Sequence, residues 1–231
     1  MAKGNKGTDL QHIADILQKE KICSDTTPLH KAIGELKNGA YNLQKLKLKI
    51  DVVPNNTRPS VKSLEVLLNV QITENKYNEN NICNAVSNYN FSIEILGRNG
   101  KQAVYSSWHL DFDNVTESEY IHPSFHLTYG GKAMKTVELG DVLLLPSPRI
   151  SYPPMDAVLG IDFVLSNFVK KEIYNRIKVN SQYKAAVKHS QQRLWRPYML
   201  SLAKHWCQFT NCTYFVSDDS LTKKYHPTLI D

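Results

Sequence analysis

Residues 89–112 have the sequence YNFSIEILGRNGKQAVYSSWHLDF, and their residue pattern indicates the fold most clearly. From Phe91 to Ile95 apolar residues alternate with polar ones, which is the period of a strand with one buried face. An Asn-Gly pair at 99–100 then signals a tight hairpin turn, and residues 102–112 resume the alternation. The stretch therefore predicts two antiparallel strands within a β-meander.

Toward the N-terminus the apolar spacing changes from a strand period to a helical one. Residues 61–73 are rich in Leu and Val and predict another strand, whereas residues 51–60, with two prolines and two asparagines, predict a linker. Residues 8–22 and 29–50 carry apolar side chains three or four positions apart, which predicts two helices. The first 50 residues are thus expected to form a helical segment.

Toward the C-terminus the period becomes helical again. Pro153 and Pro154 suit a first helical turn, and residues 155–168 are apolar almost all round, which is typical of a buried helix. Residues 170–196 predict a basic helical stretch that Pro197 ends or kinks. Beyond it, the pattern predicts a helical continuation over residues 200–206, a short edge strand over 214–216, and a tail.

These elements predict an α+β fold with N-terminal helices, an antiparallel β-meander, a buried central helix and basic C-terminal helices. We expect three parts: a helical segment over residues 1–50, an α+β core over 51–169, and a basic helical segment over 170–231 that packs on the core.

Composition narrows the functional classes. The chain has 231 residues and a net charge of +6. No run of about 18 apolar residues occurs and no apolar segment follows the charged N-terminus, so we expect a cytoplasmic protein without a membrane partner. The four cysteines, at 23, 83, 207 and 212, lack zinc-site spacing and are interpreted as reduced thiols. Because dinucleotide, Walker, nucleophile-elbow and zincin motifs are missing, no cofactor is expected.

Residues 108–113 hold the first candidate chemistry. Strand alternation places His109, Asp111 and Asp113 on one face and the aromatic and leucine side chains on the other. The polar face is interpreted either as a solvated strand surface or as a carboxylate–imidazole row that lines a cleft.

A second histidine-rich segment, residues 122–131, contains His122 and His126. In an extended strand, positions four apart are separated by roughly 13 Å, too far to share one ion. No metal site is therefore expected, and the two imidazoles are interpreted as part of a polar network or as general acid–base groups. Asp162, inside the apolar helix, is expected to need a partner, and Arg149, His122 and His126 are the candidates. The pairing is interpreted either as a structural ion pair or as an anion or substrate clamp.

Residues 170–196 contain eight Lys or Arg against one Glu, with aromatic residues between them. Basic charge with interspersed aromatics is typical of nucleic-acid binding, although a charged helix face is often merely solvated. The candidate contacts to nucleic acid or to an acidic protein partner are Lys170, Lys171, Arg176, Lys184, Lys188, Arg193, Trp195 and Arg196.

Several of these residues together resemble a family of uncharacterised bacterial proteins with a His-Pro-x-x-His-Leu-x-x-Gly, Arg-Ile-Pro and Phe-Ile-Leu-x-Asn-Phe core. The matching positions are His122-Pro123, His126-Leu127-Thr128, Gly130, Pro148-Arg149-Ile150 and residues 161–168, within a stretch of about 50 of the 231 residues. An insertion over residues 132–145 departs from the family's spacing. The resemblance implies a bacterial origin and a defence or mobile-element operon, and it supplies no activity.

The order of elements also resembles, at the level of the fold, ubiquitin-conjugating enzymes and their inactive relatives. Those enzymes need a thiol shortly after the His-Pro motif, but this chain has no cysteine between Cys83 and Cys207. The resemblance therefore implies the fold without the conjugating activity.

Two functions remain open on this basis. The first is a non-catalytic binding or accessory protein that contacts nucleic acid or an acidic protein through its basic helices. The second is a metal-assisted nuclease or other hydrolase that uses His122, His126, Asp111 and Arg149, with Asp113 nearby.

Overall fold

The computed structural model describes residues 4–54, 57–74, 86–113, 122–135, 137 and 149–206. Within them the chain has the predicted α+β fold, with an antiparallel sheet and helices against one of its faces. The helices are α1 (Lys6–Lys19), α2 (Thr27–Gly34), α3 (Ala157–Phe168), α4 (Lys171–Lys178), α5 (Ser181–Ser190) and α6 (Arg196–Trp206). The strands are β1 (Ala40–Ile50), β2 (Leu64–Glu74), β3 (Val86–Asn99), β4 (Gln102–Phe112), β5 (Phe125–Tyr129) and β6 (Ile150–Ser151).

The described strands form one meander in which each pairs antiparallel with the next, in the order β1 to β6. The predicted hairpin is confirmed: β3 and β4 pair as far as Asn99 with Gln102. Gly100 and Lys101 form the turn, one position later than the Asn-Gly pair suggests. Gly100 has φ of +61°, which a glycine adopts at no steric cost.

One face of the sheet is buried beneath the helices. Phe91, Leu110 and Leu127 lie side by side on β3, β4 and β5, and each is at most 6% exposed. α3 crosses this face so closely that a Cβ added at Gly160 would lie 2.6 Å from the Phe91 ring. The intervening residues of β4 and β5 point to the opposite face.

The predicted helix over residues 29–50 is wrong in its second half. α2 ends at Gly34, and the chain then enters β1. A β-bulge lies between Leu43 and Leu46, so Leu43, Leu46 and Ile50 are three and four positions apart even though they share one strand face. The bulge therefore gives the apolar residues of this strand the spacing expected of a helix. The first 50 residues thus contribute a strand, β1, to the sheet.

The buried central helix is confirmed, but it starts later than Pro153 and Pro154 suggest. α3 begins at Ala157, and Asp156 caps it by accepting a hydrogen bond from the backbone N–H of Leu159 at 3.0 Å. The two prolines lie in the extended segment before the cap.

The basic C-terminal helices are present as predicted, with an irregularity near Pro197. A π-helical turn, Gln191–Trp195, precedes α6, and Pro197 is the second residue of α6. The helical geometry therefore changes before the proline. Pro197 itself lies in the first turn of α6, where its ring and its missing N–H are tolerated. The predicted edge strand over residues 214–216, and Cys83, Cys207 and Cys212, lie outside the described residues, whereas Cys23 is a buried free thiol.

Candidate functional site

Five ionisable side chains gather where β4 pairs with β5. We call them the His–Asp cluster: His109, Asp111, Asp113, His122 and His126. The sheet register sets Asp111 opposite His126, so both lie on the face away from the helices. The alternation predicted for residues 108–113 is thus present on β4, and it brings Asp111 to the predicted histidines.

Asp111 is the centre of the cluster. Its Oδ2 atom lies 3.0 Å from Nε2 of His109 and 3.7 Å from Nε2 of His126. His109 was not predicted as a catalytic residue. The sequence nevertheless indicated that it lies near Asp111, because it precedes Asp111 by two residues and so lies on the same strand face. Asp111 thus contacts the imidazole of His109 directly and faces that of His126 at a longer distance.

The predicted separation of His122 and His126 is wrong. Their ring centroids are 4.2 Å apart, whereas an extended strand would separate the residues by roughly 13 Å. The chain bends at Ser124 and β5 begins only at Phe125, so His122 lies before the strand and its ring returns toward His126. His122 Nδ1 lies 3.6 Å from Asp113 Oδ2.

The hydrogen bonding of His126 fixes its tautomer. Nδ1 lies 2.9 Å from the carbonyl oxygen of Pro123, and because a carbonyl only accepts, Nδ1 carries the hydrogen. In the neutral ring Nε2 then carries no hydrogen, and its lone pair faces the Asp111 carboxylate. His126 is 2% exposed, so this nitrogen is a buried proton acceptor.

The charge state of His126 agrees with that tautomer. Burial lowers the pKa of His126 below its usual value, and the neighbouring His122 and Arg149 lower the pKa further. The hydrogen bond to the Pro123 carbonyl and the charge of Asp111 act in the opposite direction but do not cancel the effect of burial. Arg149 is therefore within electrostatic reach of the cluster, although its side chain is exposed.

The Gly130–Gly131 pair permits the close approach that holds His109. Both glycines have positive φ, +80° and +76°, which side-chain-bearing residues rarely adopt. A Cβ at Gly131 would lie 2.7 Å from Cε1 of His109, so the backbone lies directly against the imidazole. The glycines therefore allow the chain after β5 to turn across the edge of the cluster.

Among the residues that the structure describes, no three His, Cys, Asp or Glu side chains are placed to hold one metal ion. The cluster instead sets the buried Nε2 of His126 at 3.7 Å from the Asp111 carboxylate.

The predicted pairing of Asp162 with Arg149, His122 or His126 is wrong. Its Oδ1 atom accepts hydrogen bonds from the hydroxyl groups of Tyr183 at 2.7 Å and Tyr174 at 3.0 Å. Asp162 therefore joins α3 to α4 and α5. Tyr183 is only 2% exposed, so it is a core residue and not a surface aromatic.

Arg193, the first candidate for a nucleic-acid contact, also points inward. Its side chain is 12% exposed, and its guanidinium lies 3.1 Å from Oε2 of Glu74 and 3.0 Å from Oδ2 of Asp156. It also donates to the hydroxyl of Ser190, which in turn donates to Asp156. Arg193 thus neutralises buried carboxylates, and its placement on a nucleic-acid surface is wrong.

The other basic candidates differ in exposure. Arg176 is exposed but pairs with Glu20, and Trp195 is half-buried with its Nε1 donating to the carbonyl of Pro154 at 3.0 Å. Arg196 has an exposed side chain. Four lysines are exposed and form no ion pair with any residue in the described part of the chain: Lys170, Lys171, Lys184 and Lys188.

No family model, curated protein or solved structure matches the chain. The resemblances to the uncharacterised bacterial family and to ubiquitin-conjugating enzymes therefore stay predictions. None of the described helices has the length and apolar character needed to cross a bilayer.

Proposed function

We propose that the protein is a non-catalytic nucleic-acid-binding or accessory protein. Its contact surface is the exposed side of α4 and α5 together with the residue before α4. We call this surface the basic face, and it consists of Lys170, Lys171, Lys178, Lys184 and Lys188. The observation that carries the proposal is that all five lysines are exposed without an ion-pair partner among the described residues.

Helical geometry groups the lysines into stripes. Lys184 and Lys188 are four positions apart on α5, and Lys171 and Lys178 are seven apart on α4, so each pair lies on one side of its helix. Stripes of positive charge match the regular spacing of phosphates along a nucleic-acid backbone.

The chemistry of the basic face favours a polyanion over a single carboxylate. Glu172 is the one acidic residue between Lys170 and Lys188. The ammonium of Lys178 lies 5.6 Å from the ring centroid of Tyr174, which adds an aromatic side chain to the cationic surface. The guanidinium of Arg193 binds buried carboxylates, so the lysines and not Arg193 would supply the phosphate contacts.

The test measures affinity for fluorescent single- and double-stranded oligonucleotides by anisotropy at fixed, low salt. In the test variant Lys170, Lys171, Lys184 and Lys188 are replaced by alanine. A matched control replaces four exposed lysines outside the basic face, Lys31, Lys37, Lys101 and Lys135, so that both variants lose the same charge.

We expect the test variant to bind at least tenfold more weakly than the control variant, because local phosphate contacts are lost and not only net charge. Equal weakening in both variants would show that binding depends on overall charge and would contradict the proposal. Tighter binding of polyglutamate than of the oligonucleotides would assign the basic face to an acidic protein partner instead.

A second candidate function is hydrolysis at the His–Asp cluster. The observation that favours it is the buried, unprotonated Nε2 of His126 beside Asp111, which is the arrangement of a general base. Hydrolysis of activated phosphodiesters and esters is measured for the wild type, for His126→Gln, and for His30→Gln as a control at an exposed histidine. Activity that is absent, or equal in all three proteins, would contradict a catalytic role.

A further inference from the structure

A second cationic surface lies at the hairpin end of the sheet. A cleft of about 1100 Å³ opens where β2 begins and β3 ends. Its walls come from the segment after α1, the end of β1, the chain before β2 and the β3–β4 hairpin. We call it the hairpin cleft. It shares no lining residue with the His–Asp cluster or the basic face.

Positive charge dominates the walls of the hairpin cleft. Five cationic side chains line it against the single carboxylate of Glu65: Lys21, Lys47, Lys49, Lys62 and Arg98. Lys47 lies 3.0 Å from Glu65, and Lys49 lies 2.8 Å from Asp51. The remaining three, Lys21, Lys62 and Arg98, form no ion pair with any residue that the structure describes. Unneutralised cations around one cavity favour an anionic ligand.

The cleft also has apolar walls. Ile22, Leu64, Leu96 and Val104 contribute aliphatic surface, and Tyr105 contributes an aromatic ring. Ligand sites commonly combine apolar walls with a few charged groups that orient the ligand. The volume exceeds what a bare phosphate needs, so the walls suit an anion that carries a planar or apolar body.

The backbone at Lys21 is an independent sign that this lysine is used. Lys21 follows α1 with φ of +57°, in a motif in which its N–H bonds to Gln18 and that of Ile22 bonds to Leu17. Glycine is favoured at this position because it has no Cβ to clash. A lysine there costs stability, and its side chain lines the hairpin cleft.

We propose that the hairpin cleft binds a phosphate-bearing nucleotide, with Lys21, Lys62 and Arg98 on the phosphates and the base against Tyr105 and the aliphatic wall. The nucleotide is either free or the phosphorylated end of a strand, since both present the same groups. This binding does not depend on the basic face.

The test uses isothermal titration of the full chain with ATP, inorganic pyrophosphate and adenosine, in EDTA so that the protein supplies the cations. We expect ATP to bind at least tenfold more tightly than either fragment. Lys21→Gly and Arg98→Ala should each weaken ATP binding by about tenfold. Lys21→Gly is expected to keep or raise the melting temperature, so its loss of binding cannot come from unfolding.

Two further variants separate this site from the basic face. Lys37→Ala, at an exposed lysine outside the cleft, and the pair Lys184→Ala with Lys188→Ala should leave ATP affinity unchanged. ATP binding no tighter than that of adenosine, or binding unaffected by Lys21→Gly and Arg98→Ala, would overturn the proposal. Competition by a 5′-phosphorylated but not an unphosphorylated oligonucleotide identifies the ligand as a strand end, and its absence identifies a free nucleotide.

Discussion

Replacement of Arg193 by alanine separates a structural arginine from a nucleic-acid contact. The side chain is 12% exposed and its guanidinium lies within 3.1 Å of both Glu74 and Asp156. Asp156 is 2% exposed and also caps α3, so removal of the guanidinium leaves two carboxylates buried without their main counter-charge. Glu74 keeps the ammonium of Lys6 at 2.9 Å, whereas Asp156 keeps no ion-pair partner among the described residues. Removal of one partner from a buried ion pair typically costs about 3–5 kcal/mol, and this cost therefore falls on Asp156.

That cost is a large part of the total stability expected of a domain, roughly 5–15 kcal/mol. Urea unfolding followed by circular dichroism measures it as a lower midpoint with an unchanged slope. The matched control is Arg176→Ala, because Arg176 pairs with Glu20 while its side chain is 61% exposed. Such an exposed pair contributes little to stability because solvent screens it.

The two variants should also differ from the basic-face variant in binding. Without urea, and at a temperature at which Arg193→Ala is folded, the affinity of this variant for oligonucleotides should match that of the wild type. A loss of less than about 1 kcal/mol for Arg193→Ala, together with weakened oligonucleotide binding, would refute the structural role of Arg193.

Three further outcomes follow from the same contacts. Burial lowers the pKa of His126 below 6.5 in the folded chain, so the unfolded chain takes up a proton more readily as the pH falls below about 6.5. The free energy of unfolding should therefore decline below that pH, and urea midpoints measured against pH should decline less in His126→Gln than in the wild type. Asp162→Ala should cost about 1–3 kcal/mol in urea unfolding, since the buried Tyr183 hydroxyl loses its acceptor, and an unchanged midpoint would count against this contact. Gly160→Ala should destabilise the protein by about 1–3 kcal/mol, because its Cβ would lie 2.6 Å from the Phe91 ring. Gly34→Ala is the control, because a Cβ at Gly34 would have no atom within 4 Å. Similar thermal midpoints for the two variants would argue against close packing of α3 on the sheet.

The sequence predicted those parts of the fold in which the local residue pattern is compatible with only one kind of secondary structure. The alternation around Phe91 and the glycine-containing turn predicted the central hairpin, and the nearly continuous apolar surface of residues 155–168 predicted the buried helix. It failed at β1, because a bulge placed Leu43, Leu46 and Ile50 at spacings that suit a helix equally well. Local spacing alone does not distinguish a bulged strand from a helix.

The candidate sites were predictable only as far as side-chain direction follows from local sequence. The face shared by His109 and Asp111 followed from strand alternation. The approach of His122 to His126 did not, because it depends on a bend at Ser124 just before the strand. Likewise, the inward direction of Arg193 depends on Glu74, more than 100 positions away, which no local pattern reveals.

In the proposed function, the lysines of the basic face contact phosphates directly. The most direct test is the dependence of oligonucleotide affinity on salt, measured for the wild type and for the variant that lacks Lys170, Lys171, Lys184 and Lys188. Each phosphate contact to duplex DNA contributes about 0.9 to the slope of log affinity against log salt, so four lost contacts should make the slope shallower by about 3–4. An identical slope in both proteins would contradict the claim.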